Sequence, residues 1–355
     1  MKISNKLSHT LSTVLTMLAV CALYGCRKSA TPTSQKLHFT NDVLCPYTPV
    51  KDQGKSQACW IYAMLATIES EHIRRGDSVN LSPHYVVYQH LKEQARRRYL
   101  SRSTVVYSDR GVMPMLLQLI NRYGIMPYDA FHSNANFFTT RRKMYRTVDA
   151  CVAARTGLAT MQRRVDQLLQ DNIAPVPPHV YMFGVEYTPL EFAHSVCLPD
   201  EYVAFTSYQH HDFNTYVDLE IPDNKQHSLF YNTDINTLVN MVVNTLRQGY
   251  PVCWEGDTSE LGFSFKQGIA RLDDERRPCT QAERQRDFER FKTTDNHAME
   301  LVGLAHDNHG RQYVVCKNSW GTDNPYGGLM YMSMAYLRSK TIAVVINRMH
   351  NTNQQ

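Results

Sequence analysis

Neither sign of charge dominates this sequence: 38 Lys and Arg face 33 Asp and Glu over 355 residues, a formal net charge of +5. So small a surplus does not supply the basic footprint of a nucleic-acid-binding protein, and no nucleic-acid partner is expected. Glycine and proline are scarce too, at 16 and 15 residues, which excludes collagen-like repeats and low-complexity disorder. Nine cysteines are too few to staple a chain of this length with disulfides, and after the first 26 residues no stretch is apolar enough to span a bilayer, so a polytopic membrane protein is excluded. With 43% hydrophobic residues, the chain has enough apolar side chains for one large core or two small ones.

The start of the chain is a targeting pattern. Lys2 and Lys6 precede a stretch from Leu7 to Cys26 that holds no Asp, Glu, Lys or Arg and has an apolar centre between Val14 and Leu23. The end of that stretch, Leu23-Tyr24-Gly25-Cys26, resembles a bacterial lipobox, although Tyr24 is bulky for its place. The resemblance implies a lipoprotein-type signal over residues 1–26, lipidation of Cys26, export to the bacterial cell envelope and attachment to a membrane through the lipid. Residues 27–42, rich in Ser, Thr and Pro up to Gln35, read as a tether. A folded domain is expected over residues 43–350, followed by a short tail at 351–355.

Within that domain the first part is helical. Trp60, Ala63, Met64, Thr67 and Ile68 recur at the spacing of one helix face, with Arg74, Arg75 and Gly76 as the stop. Ser82-Pro83 is an N-cap and first-turn pair opening a second helix, and Met113 to Tyr123 before Gly124 is a third. Arg141 to Asp171 alternates basic and apolar residues at helical spacing, and Ile235 to Leu246 is amphipathic. The basic triplets Arg96-Arg97-Arg98 and Arg141-Arg142-Lys143 read as exposed helix faces. Short runs rich in Val, Tyr and Met follow at Glu300–Ala305, Tyr313–Lys317, Leu329–Met332 and Ile342–Ile346, so helices precede strands and the class is α+β.

A cysteine at the start of a helix sits where unpaired N–H groups and the helix dipole favour the thiolate, and Cys59 is so placed. A nucleophile of this kind needs an imidazole to exchange its proton, a group to orient the imidazole, and donors for the oxyanion. His297 in Asn296-His297-Ala298-Met299, Asn318 in Lys317-Asn318-Ser319-Trp320-Gly321, and Gln53 six residues before Cys59 are the residue types those roles require. His210-His211-Asp212 invites a metal reading, but adjacent histidines would point apart on a strand and no second ligand cluster has zinc spacing, so a solvated loop is expected there. No metal or organic cofactor is expected.

The segment Gln53-Gly54-Lys55-Ser56-Gln57-Ala58-Cys59-Trp60 is similar to the nucleophile segment of papain-like cysteine peptidases, and the histidine and asparagine segments resemble that superfamily's in the expected chain order. The resemblance implies Cys59 as nucleophile, His297 as acid and base, Asn318 as orienter and Gln53 as oxyanion donor. It also implies a two-lobed fold, a helical left lobe facing a β-barrel-like right lobe. His297 lies 238 residues after Cys59, whereas the compact pattern needs roughly 130 to 150, so a mainly helical insertion is expected around residues 125–290. Asn80-Leu81-Ser82-Pro83-His84-Tyr85, Tyr187-Thr188-Pro189-Leu190-Glu191-Phe192 and Pro251-Val252-Cys253-Trp254-Glu255-Gly256-Asp257 resemble the aminopeptidase C and bleomycin hydrolase branch, whose members carry such insertions.

That branch implies hydrolysis of peptide bonds through a thioester on Cys59, with peptides or proteins as substrates and self-assembly into an oligomer. Several departures bear on this. Ser56 stands where papain has a disulfide-bonded cysteine. Arg110-Gly111 occupies the place of a Gly-Gly in the substrate cleft, so Arg110, Gly111 and Trp320 are candidate substrate-binding residues, with a cation entering the unprimed side. The tail beyond His350 is short where the branch lays a C-terminal arm in the cleft, which leaves endopeptidase action open beside aminopeptidase action. A non-catalytic, peptide-binding envelope lipoprotein is the third reading. Of the seven cysteines other than Cys21 and Cys26, an odd number, at least one thiol is expected to be free.

Overall fold

The helix that begins at Cys59 has the composition of one buried on every side: Trp60, Ile61, Ala63, Met64, Leu65 and Ile68 surround its axis and leave no polar face. In the computed structural model, in which residues 37–182 and 184–350 are described, every residue of this helix from Trp60 to His72 is buried. The chain divides at His38 into two units, and the fold is that of the unit from Phe39 onward.

A first strand, β1 (Phe39–Leu44), precedes α1 (Cys59–Arg75), α2 (Pro83–Leu100), α3 (Met113–Tyr123), α4 (Phe137–Ala153) and α5 (Leu158–Asn172). A hairpin of β2 (Val180–Met182) and β3 (Val185–Tyr187) leads to α6 (Pro189–Val196), β4 (Tyr202–Thr206), β5 (Thr215–Asp218), β6 (Leu229–Asn232), α7 (Ile235–Arg247) and β7 (Val252–Gly256). The rest is β8 (Phe263–Ser264), β9 (Ile269–Ala270), α8 (Gln281–Glu289), β10 (His297–Asp307), β11 (Gln312–Lys317), β12 (Leu329–Ser333), α9 (Met334–Lys340) and β13 (Thr341–Asn347).

The expected helix signals act locally. Ser82 accepts a hydrogen bond from the Tyr85 N–H with Pro83 in the first turn, and Gly76 ends α1 in the left-handed conformation at φ 95°. The basic run after Phe137 is two helices, because Arg155 takes a positive φ of 51° and Gly157 caps the second. The fold is α+β, as expected, with one difference at its start: β1 begins at Phe39, inside the segment assigned to the tether, and pairs antiparallel with β10. Its alternation is weak, since Phe39 and Val43 are only partly buried and the four others are exposed.

Most strands join one mixed sheet in the order β5-β6-β4-β13-β7-β10-β11-β12-β9-β8, with β1 on β10. Helices predominate in the insertion, but β4, β5 and β6 within it extend this sheet through β13. One core surrounds α1 to α5, and a second lies between the sheet and α7 and α9. The helix α1 packs against β10 and β7, so the start of β10 is held beside the start of α1.

Burying α1 also buries Glu69, which is 0% exposed. Its carboxylate accepts from Lys51 Nζ at 2.7 Å, from the Leu81 N–H at 2.6 Å and from the Thr48 hydroxyl. Lys317 Nζ donates to the same Thr48 Oγ1 at 3.0 Å and lies 3.3 Å from Glu300. This network ties residues 48–51, just ahead of Gln53, to α1, β10 and β11. Arg98 is not the exposed helix face its triplet suggests: it is 8% exposed, forms a bidentate pair with Asp149 and lies over the Tyr145 ring, clamping α4 to α2.

Replacing Glu69 by Ala leaves the partly exposed Lys51 and the buried Thr48 hydroxyl and Leu81 N–H without their partner. The expected loss is about 3 to 5 kcal/mol, read as a fall in the urea midpoint at unchanged slope.

Candidate active site

Cys59 is the first residue of α1, and the preceding Ala58 offers no side-chain cap, so the first-turn N–H groups remain available to a ligand or an anion. Two backbone donors, from Trp60 and from Ala298 at the start of β10, favour the thiolate of Cys59. Burial outweighs them and pushes the thiol up to about 12.

His297 opens β10, is 4% exposed, and places Nε2 2.9 Å from Asn318 Oδ1. The amide of Asn318 is fixed from both ends, its Oδ1 accepting the Ser319 N–H at 2.7 Å and its Nδ2 donating to Met330 Sδ at 3.4 Å. Because Oδ1 can only accept, it is Nε2 that carries the proton, and Nδ1 is left with a free lone pair. Burial holds the imidazole down at about 4 against the Asn318 hydrogen bond, so the resting histidine is neutral. Trp320 lies 4.5 Å from the His297 ring, and Phe263 and Phe265 meet Trp320 edge-on, an aromatic cover over the His297–Asn318 pair.

Gln53 is held by its own amide and by the asparagine segment. Its Oε1 accepts from Ser319 Oγ at 2.6 Å, its Nε2 donates to the Ser56 carbonyl at 2.7 Å, and its backbone N–H donates to Ser319 O at 2.8 Å. A primary amide has two N–H donors, so one remains for a developing oxyanion. Gln53, Cys59, Arg110, Gly111, His297 and Trp320 all line one cavity of about 140 Å³, and Asn318 stands behind His297. Seven of the candidate positions are thus brought together; the eighth, Cys26, lies outside the described residues.

Arg110 is not a free cation in the cleft. Its Nε donates to Asp223 at 2.7 Å and its guanidinium reaches the Asp295 carbonyl oxygen at 2.7 Å, so it forms a clasp from the helical side to the insertion and to the segment before His297. Gly111 has no alternative: a Cβ there would lie 1.9 Å from Met115 Cε and 2.9 Å from the Trp60 ring. Three cavity residues are not singled out by sequence reasoning, namely Asp223, Glu255 and Asp295. Glu255 lies inside a segment that carries the branch resemblance and Asp295 two residues from His297, but neither has a signal of its own, and Asp223 comes from the insertion. Burial, reinforced by Asp223, lifts the Asp295 carboxyl to about 6.

The His210–His211 pair lies in a turn between β4 and β5, as expected of a loop. Both rings converge on Glu220, at 3.1 and 2.8 Å, so His210, His211 and Glu220 bring ligand atoms within 4.8 Å of one another. Ring N–H donation to Glu220 accounts for that arrangement. The seven cysteines among the described residues are free thiols, with all but Cys59 and Cys279 buried. His350 stacks on Tyr250 and approaches Glu71 at 3.1 Å, twelve residues along α1 from Cys59 and so about 18 Å away along the helix. The tail 351–355 lies outside the described residues.

Two measurements check this geometry. Asn318→Ala removes the group that fixes the tautomer, and kcat should fall about 100-fold with KM changed less than about twofold. Protonating Asp295 removes a charge from the cavity as pH falls through about 6, whereas His297 stays neutral to about 4. The acid limb of kcat/KM should therefore lie near pH 6 and move lower in Asp295→Asn.

A model of the Peptidase C1-like family matches residues 178–355, the stretch that carries His297 and Asn318. The chain is 23% identical over 381 residues to aminopeptidase W of Lactobacillus delbrueckii subsp. lactis, covering 89% of this chain and 85% of that one. It is 23% identical over 375 residues to the mitochondrial cysteine proteinase 1 of Saccharomyces cerevisiae, with 87% and 76% covered. Its fold is similar to the crystal structure of pepw from Lactobacillus rhamnosis HN001, with a TM-score of 0.68 and 17% identity over 88% of this chain and 82% of that one.

Proposed function

Because the chain belongs to the Peptidase C1-like family, we propose that it is a cysteine aminopeptidase in which Cys59, His297, Asn318 and Gln53 act together on the first residue of a peptide. In this reading the Cys59 thiol gives its proton to His297 Nδ1 as Sγ attacks the scissile carbonyl carbon. The oxyanion is met by the free Gln53 N–H and the Cys59 backbone N–H. His297 then protonates the departing amine, a thioester remains on Cys59, and water, deprotonated by His297, hydrolyses it to the free acid and the thiol. Asn318 holds the imidazole in the tautomer that leaves Nδ1 open.

The observation that carries exopeptidase action is the Arg110 clasp. With Arg110 joined to Asp223 and to the Asp295 carbonyl, the recess at Cys59 itself is about 140 Å³, beside a cavity of about 780 Å³ with which it shares Gln53 and Ser56. That recess suits the end of a chain rather than a stretch passing through. The name of the aminopeptidase W relative supports the same reading.

Export and anchoring are part of the proposal and rest on the sequence alone: Lys2, Lys6, the uncharged stretch to Cys26 and the lipobox-like ending. Attachment in this reading goes through a lipid on Cys26; among the described residues no helix is long and apolar enough to cross a membrane.

An alanyl reporter amide with a free amine should be cleaved at least about 10-fold faster than its N-acetyl twin. Equal rates would favour endopeptidase action, and cleavage surviving in Cys59→Ala would place the chemistry elsewhere. Metabolic labelling with a radioactive fatty acid should mark the full-length protein and be lost in Cys26→Ala.

A further inference from the structure

We propose that the wall of the Cys59 cavity formed by Glu255, Asp295 and Asp223 is a subsite for a primary ammonium group, filled by the free α-amine of the substrate's first residue. The inference rests on the aminopeptidase reading and assigns the residues that would recognise the amine.

Three carboxylates from three parts of the chain meet there. Glu255 comes from β7, Asp295 from the segment before β10, and Asp223 from the loop between β5 and β6. They are 2%, 4% and 5% exposed. Arg110 is the one Lys or Arg among the residues lining the cavity, and two of its donors are held by Asp223 and by the Asp295 backbone oxygen. The Asp295 carboxylate is met by the Asp223 N–H at 3.1 Å. Glu255 Oε2 has no hydrogen-bond partner although it is shut off from solvent. An acceptor left in that state is costly in a folded protein, and its residue lines the cavity that also holds the nucleophile.

An ammonium group answers both deficits at once, because it supplies three N–H donors and the missing positive charge. An N-acylated peptide end supplies one donor and no charge. In the empty cavity burial and the two aspartates hold Glu255 well above the usual carboxylate range, so a proton does the neutralising. A bound ammonium takes over that task and lets Glu255 release the proton. Exchanging that proton for an ammonium group leaves the net charge beside Cys59 unchanged, so the subsite selects the substrate without itself altering the thiol.

The test compares wild type and Glu255→Gln on alanyl, N-acetyl-alanyl and Nα-acetyl-lysyl reporter amides, with active sites titrated by a thiol-directed alkylating agent. The expected result is a fall of at least about 10-fold in kcat/KM for the free-amine reporter and less than about twofold for its acetylated twin. A free-amine preference that survives unchanged in Glu255→Gln overturns the subsite and leaves the aminopeptidase reading standing. Absence of that preference in wild type overturns the aminopeptidase reading itself. A Glu255-dependent preference confined to the lysyl reporter overturns the α-amine assignment in favour of a side-chain ammonium.

Should the variant fail to fold, the unaltered protein gives the answer. Alaninamide should slow iodoacetamide labelling of Cys59, and N-acetylalaninamide should not. Equal protection by the two, or none by either, overturns the proposal.

Discussion

The burial of α1 from Trp60 to His72 is the constraint on which the other features depend. A helix packed on all sides cannot be apolar on one face and wet on the other, so its polar groups depend on partners inside the protein. Among the described residues, Glu69 and His72 have such partners, and Ser70 Oγ and Glu71 Oε1 lack them. Glu69 finds Lys51, Thr48 and the Leu81 N–H; His72 finds the Val196 carbonyl and Asp77. These bonds fix the incoming segment that ends at Gln53 on one side and the insertion on the other. The helix start is thereby held between its oxyanion donor and the first residue of β10. Precision at Cys59 thus comes from satisfying groups that lie as much as a dozen residues away from it.

What could be read from the sequence was the part in which chemistry and chain order coincide. Cys59 with Gln53, His297 beside Ala298 and Asn318 beside Trp320 are short local patterns, and helices such as Pro83–Leu100 and Ile235–Arg247 carry their own caps and periodicity. The acidic wall was not legible, because Asp223, Glu255 and Asp295 meet only after β7 pairs with β10 and the insertion closes over the helical side. The strand at Phe39 was hidden for a related reason. It is an added strand on β10 with little alternation, and a mostly exposed run of six residues resembles a tether until its partner is known. Arg98 misled by composition: in a basic triplet it looked solvated, whereas Asp149, far away in sequence, draws it inward.

The cavity is electrostatically unfinished in the resting protein. Its thiol and imidazole are both held neutral by burial, and its three carboxylates have one guanidinium between them. A site in that condition gains most from a substrate that brings its own charge, and discriminates against neutral ends without any steric exclusion.

The pairing of β1 with β10 joins the first strand of the fold to one near the far end of the chain, with Phe39 opposite Asp307 and Leu44 opposite Gly303. At about 5 to 20 residues per second, Cys59 emerges from synthesis roughly 10 to 50 seconds before His297 exists. During that interval α1 has neither its strand partners nor its imidazole, so the nascent chain carries an inert thiol. The order of the chain therefore delays assembly of the Cys59, His297 and Asn318 set until synthesis has passed Asn318.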